Sequence, residues 1–159
     1  MTLNAISTVL PTLHPAVVHL PIALLLTALV FDVGCLVIRR LIWLDRASAA
    51  LTVLGTAGLL AAVVTGDHAA EAAASVTGPA AGLLTDHADL ALLTFGAWFV
   101  AMLLRVYVWW LGCDDRRVHI GIYRLASLTV SLVAAWMLVV TATSGHALVF
   151  HHGVGVLLN

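Results

Sequence analysis

From Ala16 to Ile38 the chain carries one charged side chain, Asp32, and three later runs, about 47–66, 86–111 and 120–143, are nearly as free of charge. At roughly 1.5 Å of helical rise per residue, runs of about 20 residues or more are long enough to cross a hydrocarbon layer of roughly 30 Å. A chain that is 62% hydrophobic and 9% charged, with a mean hydropathy of +1.09, is far from the balance of a soluble domain. The expected fold is therefore all-α, an integral membrane four-helix up-down bundle. It forms one domain over 1–159, with helices at about 16–38, 47–66, 86–111 and 120–143. The tail, 145–159, is too short to cross again.

The connections carry the punctuation. Pro11 and Pro15 precede the first helix, and Pro21 either begins its regular part or kinks it. Gly55 and Gly58 sit in an Ala-rich second run of the kind that lets membrane helices pack closely. The longest polar interval, 65–85, is broken by Gly78 and Pro79, and its Ala-rich first half is expected as a short surface helix. Thr85 is the expected N-cap of the third helix, with Asp86 and Asp89 in its first turn, and Trp109 and Trp110 mark its far interface.

All seven basic residues are arginines, and four crossings place every one of them toward the same side. By the positive-inside rule that side is the cytoplasm, and both termini lie outside. No basic region precedes the first run, which ends at Arg39 and Arg40 instead of a small-residue cleavage site, so the first helix is expected to stay in the mature protein. Cys35 and Cys113 fall toward the reducing side and are expected as packing residues without a disulfide.

The same topology sends seven of the eight histidines, His14, His19, His68, His87, His146, His151 and His152, to the outer face and leaves only His119 inside. In a bundle of cyclic order, helices one and three are diagonal, so His19 and His87 are expected to face each other as two axial ligands of haem. Ala23 and Thr27 follow His19 on its helical face, and Ala91 and Thr94 follow His87, two small-residue stripes that suit a flat cofactor. His14 stands roughly 140° round the helix from His19, which directs it to a different role, such as a second site. In the tail, one of His151 and His152 is expected to fold back beneath His14. Asp32, inside the first span, is either a proton relay or the partner of an arginine such as Arg105 or Arg124.

The opening His14-Pro15-Ala16-Val17-Val18-His19-Leu20-Pro21-Ile22-Ala23-Leu24-Leu25, then Asp32, Gly66-Asp67 and His87, and the closing Leu148-Val149-Phe150 with His152-Gly153-Val154-Gly155-Val156 resemble the DUF2231 family of small four-helix bacterial membrane proteins. The resemblance spans nearly the whole chain, and its pattern maps onto His14, His19, His87 and His152. Its similarity to membrane segments associated with Rieske-type redox domains implies electron transfer. The expected function is thus a b-type cytochrome subunit, not a stand-alone enzyme. It would carry electrons between the quinone pool and a periplasmic or membrane redox partner. Haem b would be held by His19 and His87, and a second haem by His14 and His152. The expected partners are the lipid bilayer, other subunits of a membrane redox complex and quinone, with no nucleic acid. Two other readings use the same residues: a non-haem metal-binding or transport protein, with oxygen ligands from Asp67, Glu71, Asp86 or Asp89, and a cofactor-free scaffold subunit.

Overall fold

The computed structural model describes residues 13–38, 42–73, 76–113 and 120–154, and four long helices account for nearly all of them. They are α1 (His19–Val37, preceded by a helical turn over 13–17), α2 (Ile42–Ala72), α3 (Pro79–Cys113) and α4 (Ile120–His152). Each is long and apolar enough to span a membrane. Consecutive helices pack against each other and α4 closes the ring on α1, so the order is cyclic and up-down.

Several helix ends differ from the expected ones, each for a local reason. Residues 65–72 continue α2 instead of forming a separate surface helix, because a single Gly66 does not break an Ala-rich helix. Before the next helix the chain passes Gly78, whose φ of 73° is in the left-handed region that glycine adopts freely. Pro79 then opens α3 at the first helical position, where its missing N–H costs nothing. Thr85 is consequently inside α3 and not its cap, and its Oγ1 donates back to the Ala81 carbonyl. At the other end of the chain, residues 145–152 extend α4 in place of a loose tail, and the helix stops at Gly153, with φ of 65°. The second arginine-bearing loop, 114–119, including His119, lies outside the described residues, as do Arg39 and Arg40.

The bundle is apolar outside and polar within. Val30, Leu54, Leu93 and Trp136 face outward, while Ser48, Thr52, Thr56, Thr94, Ser127 and Ser131 are buried. Thr52 and Thr56 satisfy their hydroxyls on carbonyls one turn back, and Thr94 donates to Thr141 at 2.8 Å. Midway along the axis, Leu25, Leu59, Trp98, Ala101, Ala134 and Leu138 form a dry core. Gly58 admits Pro21, and Gly55 admits Leu25 so closely that a Cβ there would fall 2.6 Å from the leucine side chain.

The two hairpins repeat each other. Positions 73 apart match α1 to α3, pairing His14 with His87, Pro21 with Thr94, Leu25 with Trp98, Ala28 with Ala101 and Asp32 with Arg105. Positions 79 apart match α2 to α4, pairing Asp45 with Arg124, Ser48 with Ser127, Thr52 with Ser131, Thr65 with Ser144 and Gly66 with Gly145. All of these residues are buried or half-buried, so the repeat lies in the inward faces. The relation is that of parallel repeats about an axis along the bundle. It is imperfect at one seam: α1 and α4 pack more loosely than their counterparts α3 and α2.

Candidate functional site

Two histidines turn inward, and they are His14 and His87. His14 stands one heptad above Pro21 on the inner seam of the first helix, and His87 one heptad above Thr94 on that of α3. Both rings are half-buried, on diagonal helices, and close enough for a charge on one to be felt at the other.

Their surroundings repeat. The Nδ1 of His14 is 3.1 Å from Thr65 Oγ1, and the Nδ1 of His87 is 2.8 Å from Ser144 Oγ. Each hydroxyl already donates its single proton to a carbonyl, Thr65 to Ala61 and Ser144 to Thr141. With that proton on the carbonyl, each hydroxyl accepts from the imidazole, an arrangement in which Nδ1 is the protonated nitrogen. A neutral ring with its proton on Nδ1 keeps the lone pair on Nε2, the form that binds a metal. Beside each hydroxyl is a glycine that makes room for the ring. A Cβ on Gly66 would lie 3.0 Å from His14 Cε1, and one on Gly145 would lie 2.9 Å from His87 Cε1.

Of the two histidines expected to face each other, His87 turns inward but His19 does not, and His14 takes the inward place instead. His19 is exposed, and its Nδ1 donates to the Pro15 carbonyl of its own turn. The stripe that follows it points away from the core as well, since Ala23 and Thr27 are exposed. The physical reason is Pro21: buried against Gly58, it sets the inner seam as 14, 21, 25, 28, and position 19 falls off it.

The remaining histidines among the described residues are peripheral. His152 and His151 are exposed on the last turn of α4, which stays helical and so does not fold back beneath His14. His146 is exposed and stacks on Phe150 with ring centroids 4.3 Å apart, and His68 is 3.5 Å from Glu71 on the same helix. No group of three His, Cys, Asp or Glu able to hold a metal ion occurs among the described residues, and Asp67, Asp86 and Asp89 are exposed.

A second polar layer lies at the arginine end, roughly 27 Å from the histidines along α3. Arg105 is 3% exposed; its Nε donates to Asp32 Oδ1 at 2.7 Å and its Nη2 to Asp45 Oδ1 at 3.0 Å and to the Asp45 carbonyl at 2.7 Å. Arg124 donates to the same Asp45 oxygen at 3.0 Å, and Ser48 donates to Asp32. Asp32 is therefore the partner of Arg105. The cluster ties all four helices together with two positive and two negative charges. In the repeat, the acids occupy one hairpin and the arginines take the matching places in the other. Cys35 is buried here as a free thiol, and the side chain of Cys113 lies outside the described residues.

A family model described as "Predicted membrane protein (DUF2231)" matches residues 10–157, nearly the whole chain. The chain belongs to the DUF2231 family. No curated protein and no solved structure matches this DUF2231 chain. The family description goes no further than the membrane, so the chemistry is argued from the side chains. Gly66 and Gly145 belong to the family motif without a role attached to them, and Thr65, Ser144 and Asp45 were not singled out by sequence reasoning. The signal that points to them is the 73- and 79-residue spacing, which aligns a histidine, a hydroxyl-glycine pair and an ion pair in each half.

Proposed function

We propose that this DUF2231 protein is a b-type cytochrome subunit in which His14 and His87 would hold one haem, which would serve electron transfer between the quinone pool and a redox partner in or outside the membrane. What carries the reading is the matched placement of two imidazoles. Both turn inward on diagonal helices, each with Nδ1 beside a hydroxyl oxygen, which leaves Nε2 free to offer its lone pair to a metal. Two such nitrogens suit an iron whose other four positions come from a porphyrin. Mononuclear zinc, copper or non-haem iron draws three or four ligands from one protein cluster, and the described residues offer none.

Bound haem would supply one-electron transfer. The chain's own part is orientation: Thr65 and Ser144 hold the ring planes, Gly66 and Gly145 leave space beside them, and the apolar exterior excludes water. The positive-inside rule directs the arginine end to the cytoplasm of a bacterial inner membrane and the histidine end outward. With most of its described residues in the spans, the protein is suited to work as a subunit of a larger redox complex.

The test is a dithionite-reduced minus oxidised visible spectrum of the full chain purified with its native partners, with a pyridine haemochrome assay for stoichiometry. A b-type α band at one haem per chain is expected. It is lost in His14→Ala and in His87→Ala, and kept in His19→Ala and His152→Ala. Absence of haem from the intact preparation refutes the proposal, as does an α band that survives in His14→Ala and His87→Ala.

A further inference from the structure

At the arginine end, a cavity of about 20 Å³ lies where α1, α3 and α4 meet, with Asp45 of α2 behind it. It has room for one water-sized group. Two buried polar atoms of its lining residues, Ser127 Oγ and Arg124 Nε, have no hydrogen-bond partner among the described residues. Ser127 is only 1% exposed, so its hydroxyl is cut off from bulk solvent. Such a group costs stability unless something satisfies it.

The repeat isolates the feature. Ser48, the counterpart of Ser127, donates to Asp32 and is within 3.2 Å of the Ala28 carbonyl, both on α1, whereas Ser127 has no such partner among the described residues of α3, where Arg105 stands in the place of the acid. On the Ser127 side the α1–α4 seam is loose, and Leu36, 46% exposed, and half-buried Leu128 complete the lining there. A break in an otherwise shared pattern is where function departs from packing.

We infer that this cavity takes the carbonyl oxygen of a bilayer-soluble quinone, entering between α1 and α4, with Ser127 Oγ and Arg124 Nε as its two hydrogen-bond donors. A carbonyl oxygen accepts two hydrogen bonds and donates none, which matches two unpartnered donors on residues that line one water-sized space. The apolar sides offered by Leu36, Leu128 and Val108 suit a ring and an isoprenoid tail better than a free polar solute. The inference rests on the quinone half of the proposed function, and is measured apart from its haem half, because the site is remote from His14 and His87.

The experiment uses the full chain, haem-free, in phosphatidylcholine nanodiscs. Decylubiquinone is titrated while tryptophan fluorescence is followed, Trp109 and Trp110 lying at the same end of the bundle. Wild type is expected to show a saturable quench above the linear partitioning background. Ser127→Ala removes a hydroxyl without a described partner, so its thermal midpoint stays at or above that of wild type while its affinity falls about tenfold. Ser131→Ala, one turn along the same helix, leaves the affinity unchanged. No saturable quench in wild type overturns the inference and leaves the cavity to water or a lipid ester carbonyl. Equal affinity in Ser127→Ala overturns it too. Haem content of the native preparation does not enter either outcome.

Discussion

Arg105→Met replaces a buried cation by an apolar side chain of similar length. In the native bundle Arg105 serves both Asp32 and Asp45, whereas Asp45 also has Arg124 and Asp32 has otherwise only the Ser48 hydroxyl among the described residues. Its loss leaves Asp32, whose side chain is 11% exposed, as a buried carboxylate without a counter-charge. Breaking a buried pair in this way costs about 3–5 kcal/mol. Asp32→Asn is milder, because Arg105 keeps Asp45 and the amide oxygen can still accept from Nε and from Ser48. The loss is then the difference between charged and neutral hydrogen bonds, about 1 kcal/mol. The double variant has no unpaired charge on Asp32, so the two changes are non-additive by about 2 kcal/mol or more. Reversible unfolding in mixed micelles with rising sodium dodecyl sulfate measures all three. Equal costs for Arg105→Met and Asp32→Asn, or strict additivity in the double variant, would refute the reasoning.

At the histidine end, Ser144→Ala and Thr65→Val each free an imidazole to rotate, and haem retention in a competition assay is expected to fall about 10–100-fold. Gly145→Ala forces a methyl to within 2.9 Å of His87 Cε1 and should shift or abolish the α band, while Gly96→Ala, with open space around it, keeps the band and gains up to about 1 kcal/mol of helix stability. The charge-swapped repeat makes a third prediction, read by folded yield in detergent. The fourfold exchange Asp32→Arg, Asp45→Arg, Arg105→Asp and Arg124→Asp restores every ion pair by symmetry and should fold better than the half-exchange Asp32→Arg with Asp45→Arg, which brings four cations together.

The crossings were legible because hydrophobic length is a property of the chain alone: no tertiary contact is needed to see that 16–38 or 120–143 suits lipid. The layering of histidines against arginines followed from counting those crossings, and so did the alternative that paired Asp32 with Arg105 or Arg124. Helix ends were less legible. Thr85 has the chemistry of a cap, but Pro79 after a left-handed Gly78 starts the helix earlier, and Gly145, a breaker on paper, is held inside α4 by the ring of His87.

The choice between His14 and His19 belonged to the tertiary structure. Both begin the same apolar run, and helical spacing separates them without saying which faces in. Burial of Pro21 against Gly58 sets that rotation, because close approach is possible only where a Cβ is missing. The sequence by itself thus determined how many helices cross, which ends share a side and which residue types meet there. Only the packed bundle decided which imidazoles turn inward, which hydroxyls meet them, and that Ser127 lacks the partner its counterpart has. Length and hydropathy are additive along a chain, whereas rotation and hydrogen-bond pairing depend on the neighbouring helix.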